Sequence, residues 1–275
     1  MYNKVYVEIT NICNMSCSFC HGHSRQPRRM SEEEFIHVLA QLVGQTQYLY
    51  YHLMGEPLTH PLLPRFLQLA REHGYKSIIT TNGTLLNKRG NELLDAGVHK
   101  VNLSLHSFEE GSEEAHARYV EELADFAKQA EARGTIVVFR LWNKGVDGEK
   151  NNFAMRLLQE KIPGDWLENA RGIRIRGKIF LEWGERFAWP DRAAEIRGER
   201  FFCYGLKDQF GILSDGTVVP CCLDSDGVIA LGNVFEEDVA TILQSERARA
   251  IADGFRCGTA SEDLCRRCGY AQRFV

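Results

Sequence analysis

The 275-residue chain carries 33 basic and 37 acidic side chains and a formal charge of −4, which argues against general attraction to a nucleic-acid backbone or an anionic membrane. No apolar run approaches the ~20 residues of a membrane span, and the opening MYNKVYVEIT lacks the basic end, apolar stretch and cleavage site of a secretory signal. A cytoplasmic protein with room for a large core is expected, with no membrane or nucleic acid among its partners.

In chain order, Lys4–Ile9 alternates as a strand, with Val5, Val7 and Ile9 on one side. Ser31 and Glu34 form a capping box that opens a helix through about Val43. A strand over 48–53, a helix over 62–73 ended by Gly74, and a strand over 76–80 follow. Next come a helix over 86–95 closed by Gly97, a strand over 100–105, a long helix over 112–133 ended by Gly134, and a strand over 135–141. A helix near 153–160 and a strand near 173–181 complete a sixth unit. Strands alternating with helices predict an α/β chain with a parallel sheet. Six units fall short of the eight of a closed barrel, and an open, partial (β/α)6 barrel fits the count. Its site should lie at the carboxyl ends of the strands. Residues 182–202 lose the periodicity and read as a linker. Segments 210–213 and 217–219 flank Ser214-Asp215-Gly216 as a hairpin, and 235–252 reads as a helix. The expected division is 1–181, 182–202 and 203–275.

The nine cysteines are unevenly placed: three lie in the first 20 residues and six between 203 and 268. Without an export signal they read as metal ligands in a reducing compartment. Cys13, Cys17 and Cys20 are spaced Cys-x3-Cys-x2-Cys. A structural zinc site wants four protein ligands, and ferredoxin runs supply four thiolates per cube. Three thiolates around a four-iron cube leave one iron open for chemistry. At the other end, Cys203, Cys221, Cys265 and Cys268 could together hold zinc or a four-iron cluster with no open iron. Cys222 and Cys257 are left over and read as small buried residues. Otherwise Cys222 could replace Cys221 or donate a hydrogen atom, and Cys257 could replace a member of the last pair.

The N-terminal triplet, with Phe19 before its last cysteine, resembles the radical S-adenosylmethionine (radical SAM) superfamily. The resemblance implies a [4Fe-4S] cluster whose open iron chelates SAM, and a 5′-deoxyadenosyl radical that abstracts a substrate hydrogen. It also implies the partial barrel, and an electron donor such as flavodoxin or ferredoxin. Met54-Gly55-Glu56-Pro57 resembles the family's Gly-Gly-Glu-Pro stretch that holds the SAM amino group, with Met54 in place of the first glycine. A bare Gly-Glu-Pro is otherwise a turn. Thr81 and Asn82, in Thr80-Thr81-Asn82-Gly83, resemble residues around the SAM ribose and methionine, although Asn-Gly alone marks a turn. Asn102, Ser104 and His106 share one strand face. Ser104 is carried over as a SAM contact, and His106 reads as a satisfied loop histidine. Arg140, ending an apolar strand, suits the SAM carboxylate, or else snorkels at a strand end. Arg174, Arg176 and Lys178, at alternate positions of the sixth strand, would attract an anionic or hydroxyl-rich substrate if their face lined the barrel, and would be a solvated edge otherwise.

The C-terminal cysteines resemble the SPASM/twitch extensions, which implies a second, auxiliary [4Fe-4S] cluster. The spacing favours the shorter twitch form, with one cluster. Small twitch members include an aminocyclitol dehydrogenase, so oxidation of a small hydroxylated molecule is the expected reaction. Peptide crosslinking or epimerisation is the alternative. The barrel begins by residue 4, which leaves no room for the leader-binding domain of many peptide modifiers. The molybdopterin-precursor cyclase ends in Gly-Gly, whereas this chain ends Gln-Arg-Phe-Val, and that reading is set aside. A non-catalytic iron–sulfur or zinc scaffold is the reading from another class. Against it stands the co-occurrence of Phe19, Gly-Glu-Pro and Thr-Asn-Gly at successive strand ends.

Overall fold

The computed structural model describes residues 1–109, 111–169 and 172–274. The elements are β1 (Lys4–Val7), α1 (Glu32–Gln41), β2 (Tyr48–Tyr50), α2 (Leu63–Glu72), β3 (Lys76–Thr81), α3 (Leu86–Asp95), β4 (Lys100–Ser104), α4 (Glu113–Ala132), β5 (Ile136–Lys144) and α5 (Gly148–Lys161). There follow β6 (Leu167–Asn169), β7 (Gly172–Arg176), β8 (Ile179–Glu185), β9 (Gln209–Ile212), β10 (Thr217–Val219), β11 (Gly232–Asn233), α6 (Val239–Leu243), α7 (Glu246–Arg256) and α8 (Asp263–Arg266). The first helix starts as its sequence dictates: Ser31 Oγ accepts from Glu34 N at 3.1 Å, and the Glu34 carboxylate accepts from Ser31 N at 2.8 Å.

All the strands join one sheet in the order β11-β10-β9-β1-β2-β3-β4-β5-β8-β7-β6. Pairing is parallel from β9 through β8 and antiparallel at both flanks. Strand alternation sorts the side chains. Val5, Val7, Val101, Leu103, Val137 and Phe139 pack with the helices in the main core. Tyr6 belongs to a second cluster with Leu53, Leu213 and Val219, joined by Tyr50 and Cys222. By the same parity Tyr50, Thr80, Asn102, Ser104, Arg140 and Glu182 share that inner face. Among the described residues no helix is long and apolar enough to cross a membrane.

The sequence reading needs correction here in several elements. The sixth parallel strand is β8, which pairs with β5, and the segment expected as one strand is an antiparallel β7–β8 hairpin turning at Gly177-Lys178. Arg176 and Lys178 therefore do not line the barrel, whereas Arg174, opposite Phe180, sits on the inner parity at the flank of the sheet, its Nε donating to Gly177 O at 3.3 Å. Arg176 pairs with Glu131 at 2.7 Å, and Lys178 Nζ donates to Gly134 O at 2.7 Å, both on the outer, α4 side. The expected linker begins inside β8, which runs on through Glu185. The expected helix over 235–252 is two helices, because Ser245 Oγ accepts from Ala248 N and caps a new start for α7. Finally, β9 lies parallel to β1 from Lys4↔Gln209 to Val7↔Ile212, so the C-terminal block continues the sheet.

Candidate active site

The loop after β1 carries the first three cysteines. Its base is pinned by Thr10 Oγ1 donating to Arg28 O (3.0 Å), Asn11 Nδ2 to Gln26 O (2.9 Å) and Arg28 N to Asn11 Oδ1 (2.7 Å). Cys20 N donates to Cys17 O at 3.1 Å, which folds the triplet into a turn. Burial raises the Cys13 thiol, with the charges of Glu56 and Cys20 adding to it. Burial pushes Cys17 up to about 11, with Glu109, Cys13 and Cys20 adding. The three thiols lie within one another's fields, and a bound cation relieves that repulsion. Among the described residues no three metal-ligating side chains close on a single-ion position. The fit to a cluster therefore rests on the donor set and its mutual fields.

The turn after β2 packs onto this loop. Gly55 has φ +77°, and a Cβ there would sit 2.4 Å from Thr10 O. Glu56 N donates to Ile12 O at 2.9 Å. The Glu56 carboxylate is buried and accepts from Leu58 N (3.0 Å), Asn82 N (2.7 Å) and the Thr81 hydroxyl. Burial nevertheless raises it to about 7. Pro57 starts a single 3-10 turn through Thr59. Thr81 Oγ1 also accepts from Gly83 N (2.9 Å), and Asn82 Nδ2 donates to Asn14 Oδ1 (3.0 Å). Glu56, Thr81 and Asn82 thus spend their side chains on joining the ends of β2 and β3 to the cysteine loop.

Tyr119, from α4, donates to Asn82 O at 2.7 Å and lies 3.4 Å from Ser104 O, tying β3 to β4. Ser104, Arg140 and Glu182 are register partners across β4, β5 and β8. Arg140 Nε is 3.6 Å from Glu182 Oε2, an ion-pair contact too long for a hydrogen bond, and the guanidinium lies 5.0 Å from the Trp142 ring centroid. His106 Nδ1 is 2.9 Å from Arg140 O, so this histidine is partnered as expected. Its ring meets Phe19 at 4.7 Å. Trp189 Nε1 donates to Phe19 O at 3.0 Å and roofs the loop.

The C-terminal thiols also gather. Burial raises Cys221 well above the usual thiol range, with Cys222, Cys203 and Cys265 adding. Cys265 is raised by burial, then by Cys203 and Cys268. Cys203 is pushed up to about 11 by burial, opposed by a hydrogen bond from Gly205 N and reinforced by Cys268. Cys222 lies beside this group, hydrogen-bonded to Tyr6. Cys257 is exposed at the end of α7. A cavity of about 130 Å³ is lined by His21 from the first cysteine loop, by Pro190 and Asp191, and by Leu223 and Leu264 from the C-terminal block.

The radical SAM superfamily model matches residues 7–144, half of the chain. The chain belongs to the radical SAM superfamily. The SPASM iron–sulfur cluster-binding domain matches residues 203–269. This is therefore a radical SAM enzyme whose cofactors are a SAM-binding [4Fe-4S] cluster, SAM and an auxiliary iron–sulfur centre. It is 25% identical over 284 aligned positions to a probable GTP 3′,8-cyclase of Sulfolobus acidocaldarius, covering 88% of each chain. It is 33% identical over 105 residues to the GTP 3′,8-cyclase of Chlorobaculum tepidum, spanning 37% of this chain and only 32% of that protein. The radical SAM fold is shared with BtrN in complex with AdoMet and 2-DOIA (TM-score 0.62, 17% identity, 98% of this chain and 93% of that one). It is shared too with Streptococcus suis SuiB bound to S-adenosylmethionine (TM-score 0.65, 18% identity, 98% and 72%).

Sequence reasoning missed two groups that build this radical SAM site. Glu8, wholly buried after β1, binds Arg25 through both carboxylate oxygens. Its signal was an acid at the end of an apolar strand, on the same parity as Tyr6. Tyr119 and Trp189 reach the site from an outer helix and from the segment after β8, and nothing local to them announces it.

Proposed function

We propose that this radical SAM enzyme oxidises a small hydroxylated molecule by two electrons, consuming one SAM per turnover. The observation that carries the reading is the chemistry of the inner face near the carboxyl ends of the strands. Tyr50, His52, Thr80, Asn102 and Ser104 are polar, and burial and the Arg140 charge hold His52 neutral by lowering it to about 3. The nearby Arg140 is set against Glu182. Such a wall suits hydroxyls. BtrN, whose complex holds 2-DOIA, matches this chain over nearly the full length of both.

When bound, the cluster and SAM supply the radical that removes a substrate hydrogen, and the auxiliary centre supplies an electron acceptor. The rest falls to the chain. Cys13, Cys17 and Cys20 would hold the first cluster, and Cys203, Cys221, Cys265 and Cys268 a single auxiliary [4Fe-4S] cluster. Backbone carbonyls of Met54, Gly55 and Pro57 would accept from the SAM ammonium, while Glu56 fixes their turn. Arg140 would pair with the SAM carboxylate, with Ser104 beside it. Phe19, roofed by Trp189, would exclude water. A flavodoxin or ferredoxin would deliver the first electron.

The test is anaerobic: reconstituted enzyme, SAM and reductant are incubated with candidate polyols. 5′-Deoxyadenosine together with a product lacking two hydrogens supports oxidation, and 5′-deoxyadenosine without such a product sinks it. A cyclase is the second reading, favoured by the sequence relatives, and incubation with GTP tests it. A triphosphate needs several free cations, whereas Arg186 lies against Glu109 and Asp147, and Arg176 against Glu131. Peptide modification is a third reading, favoured by the likeness to SuiB bound to precursor peptide SuiA. A peptide encoded beside the gene, unchanged in mass after incubation, would count against it.

A further inference from the structure

Among the described residues four buried side-chain polar atoms lack a hydrogen-bond partner, and three lie on the inner face of the sheet: His52 Nδ1, Asn102 Oδ1 and Arg140 Nε. They come from the end of β2, from β4 and from β5, with β3 between the first two. Asn102 is opposite Thr80 in register, Ser104 opposite Arg140, and His52 follows two residues after Tyr50, itself opposite Ile78. His52 and Asn102 thus flank Thr80 in one layer, with Arg140 one step nearer the carboxyl ends. The field of Arg140 reaches His52.

Asn102 is fully buried, and its amide nitrogen is already committed to Thr80 Oγ1 at 3.1 Å, which leaves the oxygen facing inward with nothing to accept. The His52 ring is held edge-on by Tyr6, centroids 5.3 Å apart at 89°, and by Tyr50 at 6.2 Å. An orphaned buried polar atom is costly, so two on inner positions either side of Thr80 call for a ligand.

We propose that His52 and Asn102 form a substrate subsite for an uncharged polyol, Asn102 Oδ1 accepting from one ligand hydroxyl and His52 Nδ1 accepting from a second. The inference rests on the small-molecule reading above and names its substrate class. A cationic ligand is disfavoured because the subsite offers no carboxylate and lies within the field of Arg140. An anionic one finds no free cation at these two positions. His52 here binds and orients. It takes no proton, since its neutral form is the one the site enforces.

The experiment uses reconstituted full-length enzyme with SAM, titrated calorimetrically and anaerobically with myo-inositol, D-glucose and glycerol. The variants are Asn102→Leu, His52→Phe and the conservative His52→Gln, with iron content reporting that each has folded. We expect at least one of the polyols to bind the parent enzyme, Asn102→Leu and His52→Phe to weaken it about tenfold, and His52→Gln to recover part of the loss. The SAM-induced change in the cluster's electron paramagnetic resonance spectrum should persist in all three. Unchanged polyol affinity in the two apolar variants overturns the subsite, as does loss of the SAM-induced change, which would assign the orphaned atoms to SAM. Binding of none of the three polyols overturns it too. Polyol binding that responds to these substitutions without oxidation keeps the subsite and ends the dehydrogenase reading. Oxidation indifferent to the substitutions does the reverse.

Discussion

Glu8 and Arg25 meet in a two-pronged ion pair, 2.7 Å at each contact, with the carboxylate wholly shielded from water. The same carboxylate accepts from Met54 N (3.1 Å), Ser214 N (3.1 Å) and Ser214 Oγ (2.9 Å), and Arg25 Nε donates to Ser225 O (2.8 Å). One buried acid thereby joins the cysteine loop, the Gly-Glu-Pro turn and the turn of the β9–β10 hairpin. Breaking one side of a buried pair typically costs about 3–5 kcal/mol, because the other charge is stranded. Glu8→Ala is expected to lower the unfolding midpoint sharply and to lose iron from both cysteine groups. Glu8→Leu combined with Arg25→Met should recover much of the stability. A Glu8→Ala protein with parental melting and full iron would refute the joint.

Gly55 answers a different constraint. Its left-handed backbone alone would cost an alanine about 1–2 kcal/mol, and the contact at 2.4 Å is with backbone that cannot swing away. Gly55→Ala is expected to destabilise by on the order of 3 kcal/mol in urea unfolding and to separate the turn from the cysteine loop. Full SAM binding with parental stability would show that the loop yields more easily than its hydrogen bonds imply.

Two buried groups should give opposite slopes of stability against pH. His52 is lowered to about 3 by burial and by Arg140, so between about 3 and its ordinary 6.5 the unfolded chain binds the extra proton. Its contribution is complete above about 6.5 and is lost as pH falls through that window. Glu56, raised by burial to about 7 from 4.5, holds its proton in the folded state, so its contribution is present below about 4.5 and is lost as pH rises through 7. Urea midpoints between pH 4 and 8 should show a shallower acid-side fall for His52→Phe and a shallower decline toward neutrality for Glu56→Gln. Slopes identical to the parent would remove these groups from the account.

The parts of the fold legible in the sequence were those written in local periodicity. The first five strands and four helices follow from alternation and from the capping box at Ser31, and Phe19 and the cysteine spacing point to the site. The sixth strand was misplaced because Ile173, Ile175, Ile179 and Leu181 alternate as one strand would, while Gly177-Lys178 turns the chain between them. That slip treated Arg174, Arg176 and Lys178 as one face, either inner or solvated, whereas the turn sends Arg176 and Lys178 to the outer side and leaves Arg174 opposite Phe180. The β1–β9 pairing and the grip of Glu8 on Ser214 span about 200 residues, a separation no local pattern encodes.

The cysteine inventory gives the sharpest division. Cys222, Cys203 and Cys265 raise the Cys221 thiol, Cys268 and Cys222 that of Cys203, and Cys203 and Cys268 that of Cys265, whereas Cys257 sits exposed at the end of α7 and adds to none of them. Cys222, next to Cys221 in sequence, hydrogen-bonds to Tyr6. Two four-iron clusters amount to about eight irons per chain. Cys257→Ser should keep all of them, because an exposed thiol outside the group contributes no ligand. Cys221→Ser should fall to about four while the N-terminal cluster survives, since its three thiols lie on a separate loop. Cys222→Ser should also keep about eight, because serine can still hydrogen-bond to Tyr6 and no ligand is removed. Loss of about four irons from Cys222→Ser, with Cys221→Ser unaffected, would exchange the two assignments and place Cys222 on the auxiliary cluster.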